Sequence, residues 1–174
     1  FISPASAQNK QGILRILAIG NSFSEDAIES YLFELAKAEN KQIIIGNMYI
    51  GGASIELHVN NAKNDKAAYS YRKIGLDGIK VTTKNISIAQ ALADESWDYI
   101  SLQQASPFSG QYEVIMKDLP NLIGYVQQLK PAHTKLVYHS TWAYQQDSNH
   151  KGFANYNNDQ LQMYHQIVEV SRTL

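Results

Sequence analysis

Ile13-Leu14-Arg15-Ile16-Leu17-Ala18-Ile19-Gly20-Asn21-Ser22-Phe23-Ser24 is the stretch on which the reading of the fold turns. Its first seven residues form an apolar run of strand length, interrupted only by Arg15, and Gly20 ends it. Such a run reads as a buried strand. Ser24 then has the chemistry of a helix N-cap, with Glu25 and Asp26 in the first turn, where carboxylates suit the helix dipole. Ala27, Ile28, Tyr31, Leu32, Leu35 and Ala36 recur at helical spacing and predict a helix to about Asn40. A buried strand followed at once by an amphipathic helix is the opening of an α/β unit.

Outward from this stretch the pattern repeats. Residues 42–49 read as a second strand, broken by Gly51-Gly52, and a helix is expected to start near Ser54. Residues 87–96 read as helix and 97–103 as strand. A long helix is expected over 112–130, with Pro120 as its kink or break. Residues 135–139 read as strand and 155–172 as a last helix, with Leu161, Tyr164, Ile167, Val168 and Ser171 on one face. Strands alternating with helices predict an α/β three-layer sandwich, a flavodoxin-like parallel sheet with helices on both faces. One stretch departs from the alternation. Residues 69–74 and 79–83 are β-prone runs joined by Gly75-Leu76-Asp77-Gly78, an inserted β-hairpin near 69–83 expected at an edge or over a surface. Neither repeat nor linker interrupts 13–174, which reads as one domain.

Composition sets bounds on function. The chain has 174 residues, 44% of them hydrophobic and 18% charged, with a formal net charge of −1. Nothing here favours a nucleic-acid partner. No apolar run approaches the roughly 20 residues that span a bilayer. The absence of cysteine removes disulfides, thiolate catalysis and Cys-ligated zinc. No two histidines share the short helical spacing of a zinc motif, so neither metal nor cofactor is expected. The 11 tyrosines, with Trp97 and Trp142, offer surfaces for sugar stacking, although Tyr is also an ordinary strand residue. Phe1-Ile2-Ser3-Pro4-Ala5-Ser6-Ala7-Gln8 reads as the end of a secretory signal peptide over 1–8, with Ala5-Ser6-Ala7 as its cleavage site. Export to the periplasm or outside the cell is the expectation from it; a disordered Ala/Ser-rich leader is the alternative reading of 1–8.

In open α/β sheets, ligands bind beyond the carboxyl ends of the strands. Four segments meet that condition: Gly20 to Ser24, Ile50 to Ser54, Gln103 to Ser106, and His139 to Trp142. All four carry Gly, Ser or Gln, which offer hydrogen-bond donors or accessible backbone NH groups. A Ser just past a strand and just before a helix lies where backbone NH groups can cradle an oxyanion. Ser22 therefore reads either as a nucleophile or as part of a helix cap.

The segment Ile16 to Ser24 resembles the first block of the SGNH (GDSL-like) hydrolase superfamily, Gly-Asp-Ser-x-Ser, with Asn21 in place of Asp. Tyr49-Ile50-Gly51-Gly52-Ala53-Ser54 resembles the second block, whose glycine NH helps form the oxyanion hole; Gly52 is the better match and Gly51 the reserve. Where the third block normally offers Gly-x-Asn-Asp, this chain has Gln103-Gln104-Ala105-Ser106. That is closer to carbohydrate-esterase branches in which a Gln at the strand end takes the Asn role. The GNSFSEDA start (20–27), IGGASIELH (50–58), AYSYRKI (68–74) and HSTWAYQ (139–145) are similar to a branch of the superfamily common in gut Bacteroidetes.

The resemblance implies the SGNH hydrolase fold and a serine esterase that forms an acyl-enzyme at Ser22. Its oxyanion donors would be Ser22, Gly52 and Gln103, with Gln104 the alternative to Gln103. Asn21, His58, His139 and Trp142 are expected to line the substrate pocket. The substrate would be a small-molecule or glycan ester, O-acetylated carbohydrates included. A non-catalytic glycan-binding module on the same fold is the alternative. A flavodoxin-like cofactor protein is the weaker rival, because the first loop lacks the Thr/Gly-rich phosphate cradle expected for FMN.

SGNH enzymes carry acid and base together in an Asp-x-x-His block near the carboxyl end. Here none of the aspartates, Asp26, Asp65, Asp77, Asp94, Asp98, Asp118, Asp147 and Asp159, has a His three residues on. Two readings follow. Either the last strand and catalytic loop of a longer protein come after Leu174, or another His is the base. His58, His133, His139, His150 and His165 are the candidates, and His139 is the one at a strand end. The first reading is preferred.

Overall fold

The two alternating faces of the first strand settle the layers. The computed structural model describes residues 12–174; the leader read over 1–8 lies outside the described residues. Strand β1 (Leu14–Gly20) turns Leu17 and Ile19 to one side of the sheet and Leu14 and Ile16 to the other. Both sides are apolar, so both need cover. Strand β2 (Ile43–Tyr49) lies parallel to β1 and shares this property, with Ile44 and Met48 on one side and Ile45 on the other.

Strands β5 (Tyr99–Gln103) and β6 (Lys135–His139) continue the parallel sheet beyond β1. The expected hairpin forms as β3 (Tyr69–Ile74) and β4 (Lys80–Ile86). It pairs antiparallel with β2 and widens the sheet at that edge, giving the order β4-β3-β2-β1-β5-β6. Helices α3 (Ile55–Lys63), α4 (Ile88–Asp94) and α5 (Tyr112–Leu129) bury Ile55, Val59, Ile88, Leu92, Ile115, Leu122 and Val126 against one face. Val170 of α6 (Gln160–Thr173) joins that core. Helices α1 (Ser22–Ser24) and α2 (Leu32–Ala38), with the chain between them, cover the β1–β2 part of the other face. This is the three-layer α/β sandwich the alternation predicts.

Local departures have physical causes. The helix expected from Ser24 to Asn40 is broken by a π-helical turn at Glu25–Glu29. A π-turn adds a residue to the helical phase, so Leu32, Phe33 and Ala36 face inward while Tyr31 and Leu35 are exposed. Ser24 does not cap this segment; Asn21 does, three residues closer to the strand than expected for a cap, with its side chain accepting from Phe23 N. Pro120 does not break α5, which runs through it unbroken with the proline on its exposed side. The last helix starts at Gln160, not near Asn155. A 3₁₀ segment, Lys151–Tyr156, and left-handed Asn157 and Asn158 precede it. Its buried residues are Met163, Ile167 and Val170, whereas Leu161 and Tyr164 are exposed. Trp97 is fully buried, with its indole NH donating to Ala91 O, so it is unavailable for stacking sugars.

His58 lies inside the core. It is fully buried on α3, its Nδ1 hydrogen-bonds with the Tyr69 hydroxyl at 2.8 Å, and its Nε2 has no partner among the described residues. Burial pushes its pKa down from 6.5 to about 4. The folded state therefore holds the neutral ring while the unfolded chain takes up a proton below pH 6.5. This stabilisation is complete above pH 6.5 and fades as pH falls toward 4. At ~1.4 kcal/mol per pKa unit it amounts to about 3 kcal/mol. Urea unfolding at pH 7 and pH 4.5 is expected to show this loss, and His58→Gln to flatten it. An unchanged slope in the variant would remove His58 from the account.

Candidate functional site

Three chain segments leave the parallel strands at one edge of the sheet, and Asn21 joins them. It is buried directly beyond β1. Its Nδ2 donates to Ala53 O at 3.0 Å and to Gln104 O at 3.4 Å. Its backbone N donates to Gln103 Oε1 at 3.3 Å. Its Oδ1 accepts from Phe23 N at 3.1 Å and starts α1. The loops after β1, β2 and β5 are thereby fixed to one another through a single side chain and its own amide.

The close approach also explains Gly20. A Cβ there would lie 2.7 Å from Ser24 Oγ and 2.9 Å from Gln103 Oε1. Only glycine lets both side chains come under the end of β1. Gly52 takes a left-handed backbone, φ +67°, in the loop after β2, with open space where a Cβ would be. Its neighbour Ala53 is buried, and Ser54 caps α3 by accepting from Leu57 N.

Ser22 is exposed at the start of α1, and its hydroxyl makes no side-chain hydrogen bond among the described residues. The two glutamines at the end of β5, Gln103 within it and Gln104 just after, are both buried but do different things. Gln104 Oε1 accepts from Ile55 N at 3.1 Å and from Ala105 N at 2.8 Å, so it braces the start of α3. Gln103 uses its carbonyl on Asn21 N, and its Nε2 donates to His139 Nδ1 at 3.1 Å. His139 stands opposite Gln103 on β6 and is half-buried. Burial lowers its pKa, favouring the neutral ring. Trp142, three residues on, is 54% exposed and packs on Phe23 with ring centroids 4.3 Å apart.

Asn21, Gln103, Gln104 and His139 therefore form one hydrogen-bonded cluster at the strand ends. Trp142 packs on Phe23, the residue after Ser22. His58, expected to line the pocket, is a correction: as a core residue bonded to Tyr69 it does not reach this surface. Among the remaining histidines, His133 lies 3.8 Å from Asp98, which precedes β5 and so marks the opposite end of the sheet. His150 packs against Tyr144 and is exposed, as is His165.

Sequence reasoning missed a second polar chain beneath the site. Ser24 Oγ sits 2.7 Å from Asn21 O and 2.9 Å from Asn47 Oδ1, one hydroxyl proton serving two acceptors. Asn47 Nδ2 donates to Glu29 Oε1 at 2.6 Å. The Glu29 side chain, only 2% exposed, meets Arg72 of β3 and Lys80 of β4. Arg72 also pairs with Glu25 at 2.7 Å and lies over the Tyr49 ring. The available signal was Asn47, a polar residue inside the apolar run of β2.

Two concavities matter. A groove of about 450 Å³ runs along the sheet face past Ile16, Ile28, Tyr99 and Val137, with His139 and Ser140 also in its wall. A larger one, about 610 Å³, lies between α5 and α6 and contains none of the strand-end residues. Among the described residues, no three His, Asp or Glu side chains gather as a metal site, and no helix is long and apolar enough to cross a membrane.

Residues 15–174 match the model of a family described as a domain of unknown function, DUF4886. Among solved structures, a DUF4886 family protein from Bacteroides uniformis ATCC 8492 superposes with a TM-score of 0.91 at 50% identity, over 93% of this chain and 62% of that one. This chain thus spans less than two thirds of the length of that relative. A candidate SGNH hydrolase from Slackia heliotrinireducens superposes with a TM-score of 0.57 at 20% identity, over 93% of this chain and 73% of the other. That likeness concerns the fold alone. No curated protein matches.

The carboxamide of Asn21 donates to two carbonyl oxygens, which a carboxylate cannot do. Asn21→Asp is expected to lower stability by about 1–3 kcal/mol at pH 7, because it sets a charge against two buried acceptors. The deficit should shrink at pH 4, where a protonated carboxyl donates one bond. Parallel urea titrations of both proteins check this, and equal midpoints at pH 7 would contradict it.

Proposed function

The chain belongs to the DUF4886 family, and from that premise we propose that it forms the nucleophile and oxyanion half of an SGNH-type serine esterase. In this reading the enzyme is exported and hydrolyses O-acyl esters of carbohydrates, O-acetyl groups among them. One observation carries the proposal. An exposed, unengaged serine stands beside a buried hydrogen-bonded cluster at the carboxyl ends of parallel strands.

Ser22 Oγ attacks the ester carbonyl while a base takes its proton, and the carbonyl oxygen becomes an oxyanion. The NH groups of Ser22 and Gly52 and the side chain of Gln103 receive that charge; such donors act where negative charge develops. Gln103 is preferred to Gln104 because its amide nitrogen lies in the strand-end cluster beside His139, whereas the Gln104 side chain reaches across to Ile55 N at the start of α3. Collapse of the intermediate expels the sugar alcohol, which takes a proton from the conjugate acid of the base. Water then hydrolyses the acyl-enzyme by the same steps in reverse order of roles.

The base is assigned to an Asp-x-x-His block elsewhere in the full-length protein. The greater length of the Bacteroides uniformis relative accommodates such a block. The sheet has room for a further strand, since β6 is its outermost strand on that side. A second reading, a non-catalytic glycan-binding module, is favoured by the absence of any histidine or carboxylate bonded to Ser22 Oγ among the described residues.

The full-length protein and its Ser22→Ala variant, assayed on p-nitrophenyl acetate, separate the two. The esterase reading predicts a loss of about 10³-fold or more in kcat/KM. Equal rates would leave the binding module standing.

A further inference from the structure

The hydrogen-bond pattern around Gln103 fixes the chemical state of a neighbour. Asn21 N–H, buried beyond β1, needs an acceptor, and the one it meets is Gln103 Oε1 at 3.3 Å. That bond sets the orientation of the amide, because the flipped form would oppose two donors. The NH2 group of Gln103 must then face His139, 3.1 Å from Nδ1. An NH2 group has no acceptor capacity, so Nδ1 has to be the unprotonated nitrogen. The hydrogen of the neutral ring lies on Nε2.

We propose that His139 is a neutral hydrogen-bond donor to an oxygen of the bound ester, held in the Nε2–H tautomer by Gln103, and not the base that activates Ser22. A base of the serine-hydrolase kind accepts at Nε2 and donates from Nδ1 to a carboxylate. His139 has the reverse arrangement. Nε2 already carries the proton, and an amide donor occupies the place of the carboxylate. Nε2 has no protein partner among the described residues, and the ring forms part of the wall of the sheet-face groove. Burial supports the neutral form by lowering the pKa. Protonating Nδ1 would set N–H against NH2 and force Gln103 to turn away from Asn21. The substrate half of this assignment rests on the esterase reading, whereas the tautomer does not.

The test therefore has two arms on the full-length protein. In ¹⁵N-histidine-labelled protein at pH 7, long-range ¹H–¹⁵N correlation reads the protonation of each ring nitrogen, and His139→Gln assigns the resonance. An unprotonated Nδ1 with a protonated Nε2 is expected. An Nδ1–H tautomer or a charged ring would overturn the proposal, whether or not Ser22 is a nucleophile. In the kinetic arm, His139→Leu should lower the plateau of kcat/KM by about 10- to 100-fold and keep the acidic limb of the pH profile. His139→Gln, which retains a donor, should recover most of the loss. Disappearance of the acidic limb in both variants would make His139 the base and overturn the assignment. If Ser22→Ala is as active as the parent, the esterase reading fails, and the tautomer arm still decides the state of His139.

Discussion

Where parallel strands end together, their loops carry polar backbone groups that the sheet no longer satisfies. Burying such groups without partners costs about 1–3 kcal/mol each. In this protein one carboxamide meets several of them. Asn21 supplies an acceptor for the first turn after β1 and donors for the carbonyls of Ala53 and Gln104. Its own amide turns Gln103, and Gln103 turns His139. The strand-end surface is thus a set of linked hydrogen bonds in which each orientation constrains the next. Small displacements are costly there, because each lost bond leaves a buried polar group without a partner.

The same edge is anchored from below. The π-turn at Glu25–Glu29 brings a carboxylate under the loop, where Asn47, Arg72 and Lys80 satisfy it. Two of these partners come from the hairpin, so the insertion that interrupts the α/β alternation also braces the segment after Ser22. A buried carboxylate tolerates this position because its oxygens are paired and hydrogen-bonded.

Much of this architecture was legible in the sequence. Apolar runs on both faces of β1 and β2 required two helical layers, and Gly75 to Gly78 marked the hairpin turn. The strand pattern also placed Asn21, Gln103 and His139 at strand ends, where they are found. Other features depend on contacts distant in sequence and so left no local signal. The phase of α2 follows from the π-turn, and the inward face of α6 follows from where that helix starts. His58 read as a pocket residue because a helix after a glycine loop can face either way. Its partner Tyr69 lies on a different element, and only the fold brings the two together. The division of labour between Gln103 and Gln104 is likewise tertiary, since it depends on Asn21, His139 and Ile55 lying against them.

The central claim is that Ser22 and the donors around it serve one reacting centre. It is tested most directly by treating the full-length protein with diethyl p-nitrophenyl phosphate and determining the structure of the product. The account predicts a diethylphosphoryl group on Ser22 Oγ, with its free oxygen about 2.7–3.1 Å from Gly52 N and the Gln103 side-chain nitrogen. A protein that stays unmodified at Ser22, or an adduct whose oxygen points away from both donors, would contradict it.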